Sequence, residues 1–166
     1  LLLMLVLGTL GGMAWAAIPA FLRNRFNANE ILTSLMLVYV AQFLLDWLVR
    51  GPWRDPQGFN FPKTISFTGW QLLPSLTPDV HVGVLFALAA ALALAFMLRR
   101  TLKGFEVIVT GHAPRAARFA GFNSKRTVMF CFLLSGGLAG LAGISEIAGV
   151  VEQLQPQISP GYGFAA

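Results

Sequence analysis

Thr127-Val128-Met129-Phe130-Cys131-Phe132-Leu133-Leu134-Ser135-Gly136-Gly137-Leu138-Ala139-Gly140-Leu141-Ala142-Gly143 opens an apolar stretch that runs on to residue 151 and holds one charged residue, Glu146. With about 1.5 Å of rise per residue, ~20 residues cross the ~30 Å hydrocarbon core of a bilayer. The stretch is long enough to do so. Lipid offers no partner to unpaired backbone groups, so a spanning segment of this kind has to be helical. Working backward along the chain, further apolar blocks cover residues 81–98, 31–49 and 1–20. Each reaches span length or comes within a few residues of it. The expected fold is all-α, a polytopic transmembrane helix bundle in one membrane domain over residues 1–166.

The composition agrees. Hydrophobic residues make up 56% of the chain and charged residues 11%, against about 25% charged in soluble domains. A water-facing surface cannot be built from so little charge. The net charge of +5 does not indicate nucleic acid, because most basic residues flank the apolar blocks, where membrane topology accounts for them. Cys131 is the single cysteine. It cannot form an internal disulfide, and no Cys/His cluster has metal-ligand spacing. Neither His81 nor His112 has a Ser, Cys or Asp arrangement around it that would suggest catalysis. The chain begins inside an apolar run, at Leu1-Leu2-Leu3, without an initiator Met, and reads as an internal fragment.

Charge sets the orientation. Arg23 and Arg25 lie in residues 21–30, and Arg99, Arg100, Lys103, Arg115, Arg118, Lys125 and Arg126 lie in residues 99–126. With four helices these segments share one side, which the positive-inside rule places in the cytoplasm. The outer loop, residues 50–80, holds Arg50, Arg54 and Lys63 and five prolines: Pro52, Pro56, Pro62, Pro74 and Pro78. It is expected to be extended and turn-rich, with Trp47, Trp53 and Trp70 near the interface.

Within the membrane two features stand out. Gly8, Gly12, Ala16 and Ala20 recur every four residues in the first helix, and Gly136 and Gly140 belong to a denser small-residue face on the fourth. Such faces let helix backbones approach closely. The second helix carries a slanting polar series, Glu30, Ser34, Gln42 and Asp46. Glu30 and Asp46 suit the two water boundaries. Ser34 and Gln42 are candidates for a translocation path or for interhelical hydrogen bonds. Glu146 poses a similar choice: near the outer surface, or buried with a partner.

The segment 99–126 is long for a connector. In it, His112-Ala113-Pro114-Arg115-Ala116-Ala117-Arg118-Phe119-Ala120-Gly121 reads as a short helix, with Pro114 at its first position and Gly121 at its stop. Its small alanines would admit a partner's groove. Its arginines would equally suit anionic lipid.

These residues carry a resemblance. Ala116-Ala117-x-x-x-Gly121, in a loop before a Gly/Ala-rich helix, resembles the coupling segment of permeases of ABC importers. Asn29 to Leu37 (NEILTSLML), Gly51-Pro52-Trp53-Arg54-Asp55-Pro56, Gly104-Phe105-Glu106, residues 134–143 and Gly161-Tyr162-Gly163-Phe164 extend it over nearly the whole chain. The match is to simple-sugar and nucleoside permeases within the branched-chain amino acid and ribose permease family. Relatives often have an acidic residue where Arg115 stands, and Asn where Val38 stands. The resemblance implies a multi-pass subunit of the inner (cytoplasmic) membrane that is no enzyme and binds no cofactor. Cytoplasmic ABC ATPase subunits would use ATP and Mg. A second permease subunit, an extracytoplasmic substrate-binding protein and membrane lipid would be its other partners. Pro114, Arg115, Ala116, Ala117, Arg118 and Gly121 would form the ATPase-coupling element. The rival readings are a secondary transporter driven by an ion gradient, for which Asp46 and Glu146 are the candidate groups, a membrane-embedded enzyme, for which no His/Asp/Glu or Ser/His constellation is visible in the sequence, and a structural membrane subunit that transports nothing.

Overall fold

The computed structural model describes residues 1–56, 62–69, 71–77 and 80–156. Trp70, Pro78 and the motif Gly161-Tyr162-Gly163-Phe164 lie outside the described residues. The element order is α1 (Leu2–Phe26), α2 (Glu30–Arg50), β1 (Ser75–Thr77), β2 (Val80–His81), α3 (Gly83–Arg100), α4 (Leu102–His112), α5 (Pro114–Phe119) and α6 (Ser124–Glu146). A five-residue π-helical turn, Ile147–Val151, extends α6. Helices α1, α2 and α3, and α6 with its π turn, are each long and apolar enough to cross a membrane. The chain is therefore an all-α helix bundle, decorated outside the spans by one small antiparallel hairpin that pairs Ser75 with His81 and Thr77 with Val80.

Helix ends follow local chemistry. α1 runs six residues past the expected stop near residue 20 and takes Arg23 and Arg25 into its last turn. Cations there meet the negative end of the helix dipole. Asn27, with φ 52°, then breaks the helix in the left-handed region. Asn29 begins α2, its side chain accepting from the Ile31 N–H at 3.0 Å. Asn123 begins α6 in the same way, accepting from Lys125 and Arg126 N–H groups.

The most extensive packing joins α1 to α6. The two run antiparallel, because Gly8 meets the Gly140–Ile144 turn while Ala16 meets Gly136. A Cβ on Gly12 would overlap the Gly136 carbonyl oxygen, and one on Gly140 would overlap the Gly8 carbonyl oxygen. The helices touch backbone to backbone, a contact that only glycine permits. Lipid tails provide no hydrophobic drive for helix association, so this fit supplies the attraction. Few large side chains are buried among the described residues, and apolar side chains such as Leu7, Phe43 and Leu92 are exposed on the helices. A bilayer, unlike water, accepts that exposure.

The two ends of the bundle differ. At one end the Asn24 side chain donates to the Lys125 carbonyl oxygen at 2.9 Å. This joins the two basic segments, 21–30 and 99–126. At the other end the segment after α2 runs beside the end of α6: Leu73 N–H donates to Ala148 O at 2.9 Å, Phe67 N–H to Glu152 O at 2.8 Å and Thr64 N–H to Leu154 O at 3.1 Å.

Candidate coupling site

The segment 99–126 holds two helices, not a loop with one. Sequence reading found α5 and missed α4. Thr101 makes the corner between α3 and α4. Its backbone is extended (φ −117°, ψ 153°), and it caps both helices at once. The Thr101 hydroxyl donates to Met97 O at 2.6 Å and accepts from Gly104 N–H at 3.1 Å. Gly104 presses on the last turn of α3, and a Cβ there would overlap the Met97 carbonyl. The signals were present in Thr101 and Gly104, but the α4 core is too short to stand out by periodicity.

α4 is amphipathic. Leu102 (87% exposed), Phe105 and Ile108 project outward. On the other side Glu106 accepts from Lys103 Nζ at 2.8 Å and from the Thr127 hydroxyl at 2.8 Å. These bonds, that to Lys103 first and that to Thr127 second, hold the Glu106 carboxyl below the usual carboxylate range. Phe105 also meets Phe122 edge-on, with ring centroids 6.1 Å apart.

α5 is one and a half turns long, with Pro114 in its first turn, where a missing N–H costs nothing. Gly121, at φ 81°, ends the local turn. Ala117 is fully buried (0% exposed), and its carbonyl accepts from Phe122 N–H at 3.0 Å. Ala117 thus seats α5 on its own chain, and Ala116 faces outward. Pro114, Arg115, Ala116, Arg118 and Phe119 are exposed, Phe119 at 94%. Phe119 was not singled out from the sequence, although an aromatic in so basic a segment was visible there. A cleft of about 540 Å³ behind α5 is lined by Arg23, Glu30, Thr110, Pro114, Thr127 and Cys131, among others. Arg23 and Glu30 form an ion pair at its edge.

The residues expected along a path are not brought together. Ser34 bonds to Ile31 O of its own helix at 3.0 Å, and Gln42 is exposed on α2. Asp46 is bonded to Arg50 at 2.7 Å, one turn on. Glu146 is half-buried in a different place, a cleft of about 510 Å³ between α3 and α6 that also holds His81 and Ser145. The π turn follows at once. It brings Gly149 against the His81 ring, where a Cβ would come within 3.1 Å. Trp47 and Trp53 are both exposed at the same end of the bundle as the hairpin. Among the described residues no group of His, Cys, Asp and Glu could hold a metal ion.

The bundle thus has a basic end that carries a short exposed helix between two spans. A family model described as "Branched-chain amino acid transport system / permease component" matches residues 1–166, and the chain belongs to that family. It is a multi-pass membrane protein. Among curated proteins it is 41% identical to the glucose ABC transporter permease protein TsgB13 of Haloferax volcanii, over 99% of this chain and 46% of that protein. It is 29% identical to the guanosine ABC transporter permease protein NupP of Bacillus subtilis, over 90% of this chain and 44% of that one. It is 28% identical to the nucleoside ABC transporter permease protein NupB of Lactococcus lactis, over 93% and 45%. The chain thus spans about half the length of the curated relatives it matches. No solved structure matches it.

Proposed function

We propose that this chain is part of the membrane-spanning subunit of an ATP-binding cassette importer that moves a simple sugar or nucleoside across the cytoplasmic membrane. The observation that carries the reading is α5, a short helix held to its own chain by Ala117, with Ala116 and Phe119 exposed beside Arg115 and Arg118. An exposed Phe among arginines suits an apolar socket with an acidic rim on a cytoplasmic ATPase. ATP and Mg act in that partner. A second permease subunit completes the path, and an extracytoplasmic binding protein delivers substrate to the end where the hairpin lies. ATP-driven closure of the ATPases moves the α5 helices, and the bundle rocks between outward and inward access. The names of the similar permeases support sugar or nucleoside as substrate class.

The test is purification of the full-length transporter from its native host. We expect an ATPase subunit to co-purify, and an Ala116→Trp variant to lose its ATPase and its uptake by about tenfold or more, the scale of a lost interface contact, while membrane insertion is unchanged. Uptake that survives ATP depletion and collapses with the proton gradient would show a secondary transporter instead.

A further inference from the structure

A helix that is pushed from outside transmits force only through rigid links, and α5 by itself has few. It is one and a half turns long and packs lightly on α6. The segment that frames it is better anchored. Glu106 of α4 is mostly shielded, with 12% of its side chain exposed. One carboxylate oxygen accepts from Thr127 of α6 and the other from Lys103 of α4, both at 2.8 Å. Thr127 is itself 5% exposed and stands in the first turn of α6, beside the Asn123 cap. The Phe105–Phe122 edge contact also ties α4 to the segment between α5 and α6. From there the path continues. α6 lies backbone to backbone on α1 through Gly136 and Gly140, and the Asn24 side chain binds the Lys125 carbonyl two residues from Thr127.

We propose that the Glu106–Thr127 hydrogen bond is a coupling strut, in which Glu106 is a positioning residue that converts displacement of α5 into movement of the α6–α1 pair. The proposal rests on the importer reading above and deepens it. The carboxylate makes the bond charge-assisted, and such bonds are shorter and stronger than neutral ones. Lys103 holds the carboxylate on the face that meets Thr127. Without the strut, α5 can still seat an ATPase, because Ala116 and Phe119 are on the outer face, but its motion is absorbed in the α4–α6 junction.

The experiment uses the complete transporter with its ATPase, reconstituted in proteoliposomes, and reads ATP hydrolysis, uptake and retained ATPase for each variant. In Thr127→Val and Glu106→Ala we expect the ATPase to stay bound and to hydrolyse ATP, while substrate moved per ATP falls about tenfold, the scale of one charge-assisted hydrogen bond. Thr127→Ser keeps the hydroxyl and should restore the ratio. If Thr127→Val or Glu106→Ala fails to fold, Glu106→Gln, which keeps shape and loses charge, should lower the same ratio. An unchanged ratio in folded variants overturns the strut. So does parallel loss of bound ATPase, which would mean a merely structural role. A wild-type complex with no ATPase would instead overturn the importer reading, and that is read before any variant is made.

Discussion

The residue that best separates packing from chemistry is Gly12. Its position against the Gly136 carbonyl leaves no room for a Cβ, so Gly12→Leu must push α1 off α6. Overpacking of this kind costs about 1–3 kcal/mol, and the thermal midpoint of the purified transporter should fall. Gly11, which has open space, is the control, and Gly11→Ala should leave the midpoint within error. The small-residue spacing that marks Gly8, Gly12, Gly136 and Gly140 was readable from sequence because period and residue size alone encode it. Glu106 was not readable. It was visible only within Gly104-Phe105-Glu106, and its partner Thr127 lies 21 positions away. Its pH behaviour has a defined sign. The folded carboxyl titrates below its ordinary range because of Lys103 and then Thr127. Its contribution to stability is therefore fully present above the unfolded carboxylate value and is lost as pH falls through the folded one. Thermal midpoints of wild type and Glu106→Gln should differ at neutral pH and converge in acid. A gap that widens in acid would contradict the assigned cause.

Among the elements, the long apolar helices were legible because span length and hydropathy decide them. The elements that sequence missed are short ones defined by tertiary contact: α4, whose corner depends on Thr101 capping two helices, and the hairpin at Ser75–Thr77 and Val80–His81. The π turn at Ile147–Val151, which brings Gly149 against His81, was equally hidden. At α6 the Asn123 side chain satisfies two N–H groups, so Asn123→Ala should cost about 1 kcal/mol. Amide exchange in the first turn of α6 should then quicken, while the far end of α6 keeps its protection. At α5 one alanine, Ala117, is buried and its neighbour Ala116 is exposed, a difference that the sequence did not reveal. Ala117→Leu should disturb the fold of the segment, whereas Ala116→Leu should disturb only what docks on it. Limited proteolysis of 99–126 separates the two, with faster cleavage expected for Ala117→Leu alone.

For the whole molecule, two ends of unlike character follow from one charge pattern. Arg23, Arg25 and the basic residues of 99–126 gather where α1 ends and α6 begins, tied by Asn24 and Lys125, and the segment after α2 meets the end of α6 at the opposite pole. On the proposed reading, the positive-inside rule puts the first pole in the cytoplasm, where α5 would meet an ATPase. Cysteine labelling tests this most directly. A single cysteine at Ala116, in a background with Cys131→Ala, should react with a membrane-impermeant maleimide in inverted vesicles and not in intact cells, and should cross-link to the co-purified ATPase. Reaction from the cell exterior would leave α5 with no ATPase to move it, and the account would fail.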